Sequence, residues 1–103
     1  PLRLDSPRGG VWRGPRFLAL HPQPLRFLQL LYQRRGHLVN WDDGALRDLA
    51  SSKNNVHSIA SRTRQTIEPV REYEVYLCNR TGDDGGYWLE NCVAADADRL
   101  MTG

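Results

Sequence analysis

The sequence predicts an α+β domain: short antiparallel strands first, then three helices, then a β-hairpin. Three observations carry this. Leu2-Arg3-Leu4 alternates, and two more short β-prone runs follow within the first twenty positions, between Gly- and Pro-rich turns. Three later stretches repeat apolar residues at helical spacing. Near the C-terminus two β-prone runs flank a glycine-punctuated loop.

Leu2–Leu4, Val11–Arg13 and Phe17–Leu20 read as strands, joined by turns at Ser6–Gly10 and Gly14-Pro15. His21-Pro22-Gln23-Pro24 opens the first helix, since proline costs least in a first turn, where N–H groups lack partners anyway. That helix runs to about Arg35, with Leu25, Leu28, Leu31 and Tyr32 on one face and Gly36 as its C-terminal cap. It is the most apolar helix and the expected centre of the core. Leu38-Val39 is an extended link. Asn40 is placed to cap a second helix over Trp41–Ala50, with Asp43 in the capping-box position. Ala45, Leu46 and Leu49 face inward.

The third helix, Lys53–Glu68, is the most informative. Val56, Ala60, Thr63 and Ile67 share one face, with Ile59 at its flank, and Pro69 ends the helix. The opposite face carries Asn54, Asn55, Ser58, Ser61, Arg62 and Gln65, with no acid before Glu68. Asn and Gln pair with adenine and Arg with guanine in a major groove, so this face suits DNA. Glu74–Cys78 and Gly86–Glu90 then form the hairpin, with a basic shoulder at Arg80 and an acidic tip at Asp83-Asp84. The domain is expected to span 1–92, followed by a tail over 93–103.

Net charge is only +2 across 103 residues, but it is unevenly placed. Residues 1–35 carry +6, residues 51–67 carry +3, and residues 68–103 carry −5. Such asymmetry points to a polyanion on one side of the molecule. Thirteen of the fourteen basic residues are Arg, which suits forked contacts to phosphate and guanine. Cys78 and Cys92 are two reduced thiols by expectation, with no zinc spacing. No apolar run approaches the ~20 residues of a membrane span. No signal-peptide pattern opens the chain, so a cytoplasmic protein is expected. Nothing implies a cofactor. No nucleophile–base spacing, paired carboxylates or phosphate loop supports an enzyme.

In the order and spacing of these elements, residues 11–90 resemble the winged-helix effector domain of OmpR/PhoB-type response regulators. The residues that carry the resemblance are Leu20–Leu28, Gly36–Asn40, the register Val56, Ile59-Ala60, Arg62-Thr63-Arg64 and Ile67-Glu68-Pro69, and the closing Gly86–Leu89. The resemblance implies a winged helix-turn-helix that binds double-stranded DNA and regulates transcription, as a homodimer or in tandem on repeated half-sites and in association with the nucleoid. The third helix would enter the major groove and the wing, 79–86, an adjacent minor groove. By position, the family places a base-reading Arg at Arg62, phosphate or base contacts at Asn54, Asn55, Ser61 and Arg64, and wing contacts at Arg80 and Thr81. The chain departs from the family at Pro24, Gly44, Ile59 and Ser61. The loop that family members use to touch RNA polymerase is nearly absent, which argues against direct activation. The alternative reading is a winged helix used for protein contacts, through Trp12, Trp41 or the acidic tail.

Overall fold

A computed structural model describes residues 2–69 and 75–95. It is a small mixed α+β domain with three helices and two sheets. The elements follow as β1 (Leu2–Asp5), β2 (Gly10–Arg13), β3 (Arg16–Ala19), α1 (Pro22–Gln33), β4 (Val39–Asn40), α2 (Gly44–Leu49), α3 (Lys53–Ile67), β5 (Leu77–Arg80), β6 (Gly86–Leu89) and β7 (Cys92–Ala94). One sheet has the order β3-β2-β1-β7 and the other β4-β6-β5.

Alternation in the N-terminal strands sends Leu2, Leu4 and Val11 into the core, where all three are buried. The helices close over them. Phe27, Leu28 and Leu31 of α1 are fully buried, as are Leu46 of α2 and Val56 and Ile67 of α3. Leu25 and Tyr32 are only half-buried at the margin of the α1 face. Thr63 is also buried, and its Oγ1 donates to the Ile59 carbonyl at 2.7 Å, so it brings no unmet polar group inside.

Four expectations are corrected. Strand β7 pairs parallel with β1, Leu2 opposite Cys92 and Leu4 opposite Ala94, so the domain continues at least to Ala94. Residues 96–103 of the expected tail lie outside the described residues. Asn91 makes the return possible by adopting φ 53, a conformation Asn tolerates better than most residues. The second helix begins at Gly44, not Trp41. Its cap is Asp43, whose carboxylate accepts from the Ala45 N–H at 2.9 Å. That bond, together with the Arg34 guanidinium, holds the Asp43 carboxyl below the usual carboxylate range. The first helix ends at Gln33, and Gly36 instead takes φ 87 as third residue of the turn that His37 N closes on the Arg34 carbonyl. Strand β5 starts at Leu77 and includes Arg80, while Glu74 lies outside the described residues.

The join between α3 and β5 rests on one buried carboxylate. Glu68, 5% exposed, accepts from the backbone N–H groups of Val75, Tyr76 and Leu77 at 2.8–2.9 Å. Three donors at the start of the hairpin are thereby met by the residue that ends the helix.

Leu28→Ala is expected to cost about 2–5 kcal/mol in unfolding free energy, because lost transfer energy and a residual cavity add. Urea denaturation measures it. A loss within about 0.5 kcal/mol, the range of surface sites, would contradict the placement of α1.

Candidate functional site

Helix α3 is a 15-residue rod whose side chains divide into three arcs. At about 100° per residue, Ser61, Asn54, Gln65, Ser58, Arg62 and Asn55 fall within one arc of roughly a third of the circumference. All six are exposed. Val56, Ile59, Ala60, Thr63 and Ile67 form the inner arc, all buried. Lys53, His57 and Arg64 lie on the flank between, and this flank faces the hairpin.

Both ends of α3 are fixed. Ser52 caps its start by accepting from the Asn55 N–H at 3.2 Å. At its end, Arg13 of β2 donates to the Ile67 carbonyl at 3.0 Å, which meets an orphan acceptor and sets a cation at the negative pole of the helix. The outer arc makes only light contacts. Asn55 Nδ2 donates to Ser51 Oγ at 3.2 Å, and Arg62 reaches Gln23 Oε1 at 3.4 Å. Gln23, Ser51, Asn55, Ser58 and Arg62 line an open polar groove of about 410 Å³ beside the start of α1.

The flank toward the hairpin is built differently. Tyr87 of β6 is 2% exposed and meets Phe27 and Trp41 edge-on, with ring centroids 5.3 and 5.2 Å apart. Burial pushes its phenol up to about 12, so the hydroxyl keeps its proton, and it is hydrogen-bonded to His57 Nδ1. The His57 ring lies 4.8 Å from Trp41, and Lys53 Nζ stands 4.9 Å over the Trp41 ring. Desolvation, then the charges of Lys53 and Arg64, lowers the His57 pKa below its ordinary 6.5.

The hairpin loop is held from the α1–α2 connection. Asn40 Nδ2 donates to the Gly85 carbonyl at 2.7 Å and to the Asp83 carbonyl at 3.1 Å, and Trp41 Nε1 donates to the Gly82 carbonyl at 2.7 Å. This explains the glycines that follow. A Cβ on Gly86 would lie 2.0 Å from the Val39 carbonyl oxygen, and one on Gly85 would lie 2.1 Å from that of Arg80. Arg80 and Thr81 are exposed at the shoulder of the loop, and Asp83 and Asp84 at its tip.

Of the nine site residues expected from the sequence, six lie together on the outer arc of α3, and Arg80 and Thr81 lie on the hairpin. Arg64 does not join them. Its Nη2 donates to Asn79 Oδ1 at 2.7 Å and its Nε to the Leu77 carbonyl at 3.3 Å, so its guanidinium is spent on β5. Trp41 is 3% exposed and supplies no docking surface. Asn40, Trp41, His57 and Tyr87, which build the support beneath the site, were missed by sequence reasoning as a group. The signal for His57 was available, since it falls on the same flank as Arg64.

Among the described residues no group of His, Cys, Asp and Glu side chains is placed to hold a metal ion. None of their helices is long and apolar enough to cross a membrane. Burial pushes the Cys92 thiol up to about 11. Comparison with protein-family models gives no match, and no curated protein matches the sequence.

Because His57 titrates at a lower pH folded than unfolded, the unfolded chain binds more protons between the two values. Stability from this site is full above the ordinary 6.5 and falls as pH drops through the window below it. His57→Gln is expected to remove part of the stability lost between about pH 7.5 and about pH 5. Urea midpoints of both proteins at each pH measure this. An identical loss in the two would contradict the environment assigned to His57.

Proposed function

We propose that the chain is a winged helix-turn-helix domain that binds double-stranded DNA sequence-specifically and regulates transcription. The single observation that carries this reading is the outer arc of α3, which presents six exposed polar residues, one of them cationic and none acidic. A helix with side chains is about 10–12 Å across and the major groove about 12 Å wide, so the two fit. Asn54, Asn55 and Gln65 offer the paired donor and acceptor that adenine needs. Arg62 offers the fork that guanine needs. Ser58 and Ser61 are short enough to let the backbone approach.

The β5–β6 hairpin is the wing in this reading, resting on an adjacent minor groove. Asp83 and Asp84 at its tip are repelled by phosphates, so the contact runs through Arg80 and Thr81 at its shoulder. The OmpR/PhoB-type resemblance supports the same assignment of both elements. One domain reads one half-site, and a homodimer or tandem pair on repeated half-sites supplies the rest of the specificity. Such a protein acts in the cytoplasm, associated with the nucleoid. Only Ala50–Ser52 separate α2 from α3, which leaves little surface for RNA polymerase and favours repression over activation.

Base contacts specify while phosphate contacts position. Arg62→Ala is therefore expected to cost about 1–3 kcal/mol on the cognate duplex and to relax preference at one or two base pairs. Arg80→Ala is expected to weaken cognate and random duplexes alike and to reduce the slope of log affinity against log salt by about one. Fluorescence anisotropy across a salt series measures both. A folded Arg62→Ala protein with unchanged base preference would overturn the reading of α3 as the recognition helix and leave protein docking as its successor.

A further inference from the structure

Arg64 sits on the one flank of α3 that faces the hairpin, and three contacts converge on it. Its Nη2 donates to Asn79 Oδ1 at 2.7 Å. Its Nε donates to the Leu77 carbonyl at 3.3 Å. Its guanidinium carbon stands 6.0 Å from the centroid of the Tyr87 ring. Asn79 and Tyr87 are themselves cross-strand partners in the β5–β6 ladder. One planar fork thus joins the last turns of α3 to both strands of the hairpin. The carbonyl of Leu77 and the side-chain amide of Asn79 fix the direction of the guanidinium.

From this geometry we propose that Arg64 is a positioning residue that fixes the distance between α3 and the hairpin, and with it the spacing of the two DNA contacts. The inference rests on the DNA-binding reading above and deepens it. Two contacts on one rigid body bind together only where the duplex presents both sites at the matching separation. Inserting one base pair moves the second site by about 3.4 Å along the axis and about 35° around it. A rigid domain cannot follow that displacement. A domain whose hairpin has been released can.

The other hairpin contacts hold different points, and the Tyr87 hydroxyl, bonded to His57 of α3, ties β6 and not β5. Asn40 and Trp41 hold the loop at 82–85 to the α1–α2 connection, and Glu68 holds the backbone at 75–77. Arg64 bonds the middle of β5 to α3 itself. Lysine in its place would keep the charge, but it has no planar fork to satisfy the Leu77 carbonyl and the Asn79 amide together.

The test uses the duplex selected by the wild-type protein and the same duplex with one base pair inserted between the α3 and hairpin contacts. The wild type is expected to lose at least about tenfold in affinity on insertion. Arg64→Ala and Arg64→Lys are both expected to bind the selected duplex more weakly, with an insertion penalty of less than about threefold. In the absence of DNA, both variants are expected to speed hydrogen exchange at the amides of β5 and β6 while α1 stays protected. An insertion penalty that stays at the wild-type value in both folded variants would overturn the proposal. So would a binding loss in Arg64→Ala that Arg64→Lys restores, because that pattern belongs to a direct phosphate contact. Unchanged exchange in the hairpin would overturn it without reference to DNA. A wild-type protein that selects no duplex would overturn the DNA reading and the spacing rule together, while exchange still decides whether Arg64 holds the hairpin.

Discussion

The Tyr87 side chain is the point at which the domain is joined. Its ring meets Phe27 of α1 and Trp41 of the α1–α2 connection, and its hydroxyl meets His57 of α3. Its backbone pairs with Val39 on one side and Asn79 on the other. Helix α1, the α1–α2 connection, α3 and both neighbouring strands therefore have their positions referred to one aromatic residue. Edge-to-face ring pairs contribute about 0.5–1.5 kcal/mol each beyond the area they bury. The charged pairs at the surface are weaker by comparison. Arg47–Asp42 and Arg8–Asp5 are solvent-exposed on at least one side, where such pairs contribute about 0–1 kcal/mol.

This arrangement separates support from presentation on a single helix. The inner arc of α3 buries Val56, Ile59, Ala60 and Ile67, and the hairpin flank is engaged through His57 and Arg64. Ser52, Arg13 and Glu68 meet the backbone needs of the helix ends and of the chain beyond. The outer arc is excluded from all of this, and it is the part with the chemistry of a groove reader. Its residues are held in place by atoms on the other sides of the same helix. Rigidity of this kind lowers the entropy lost on binding, because the surface does not have to be ordered at the moment of contact.

Much of the fold was legible locally. The alternation of Leu2 and Leu4, the proline start of α1 and the spacing of Val56, Ala60, Thr63 and Ile67 each fix a face without reference to distant residues. What was not legible depends on long-range pairing. Strand β7 is three small residues whose partner lies some ninety positions earlier, and a parallel pairing leaves no turn signature. The start of α2 was misplaced because Trp41 is drawn into the aromatic cluster and Asn40 into the hairpin loop, leaving Asp43 as the cap. The grouping of six of the candidate residues on one exposed face was visible as the acid-free arc of α3. Arg64 was the exception: family position put it at the nucleic acid, whereas helical spacing alone put it about 120° away from the centre of that arc. The flank position agrees with its bonds to Leu77 and Asn79.

The central claim is that the outer arc of α3 reads base edges. Selection of bound duplexes from a random pool tests it most directly. Enrichment of a short motif containing both a guanine and adenines is expected, matched to Arg62 and to the amides of Asn54, Asn55 and Gln65, within the span of one major-groove face. A pool that remains random after repeated rounds would contradict it.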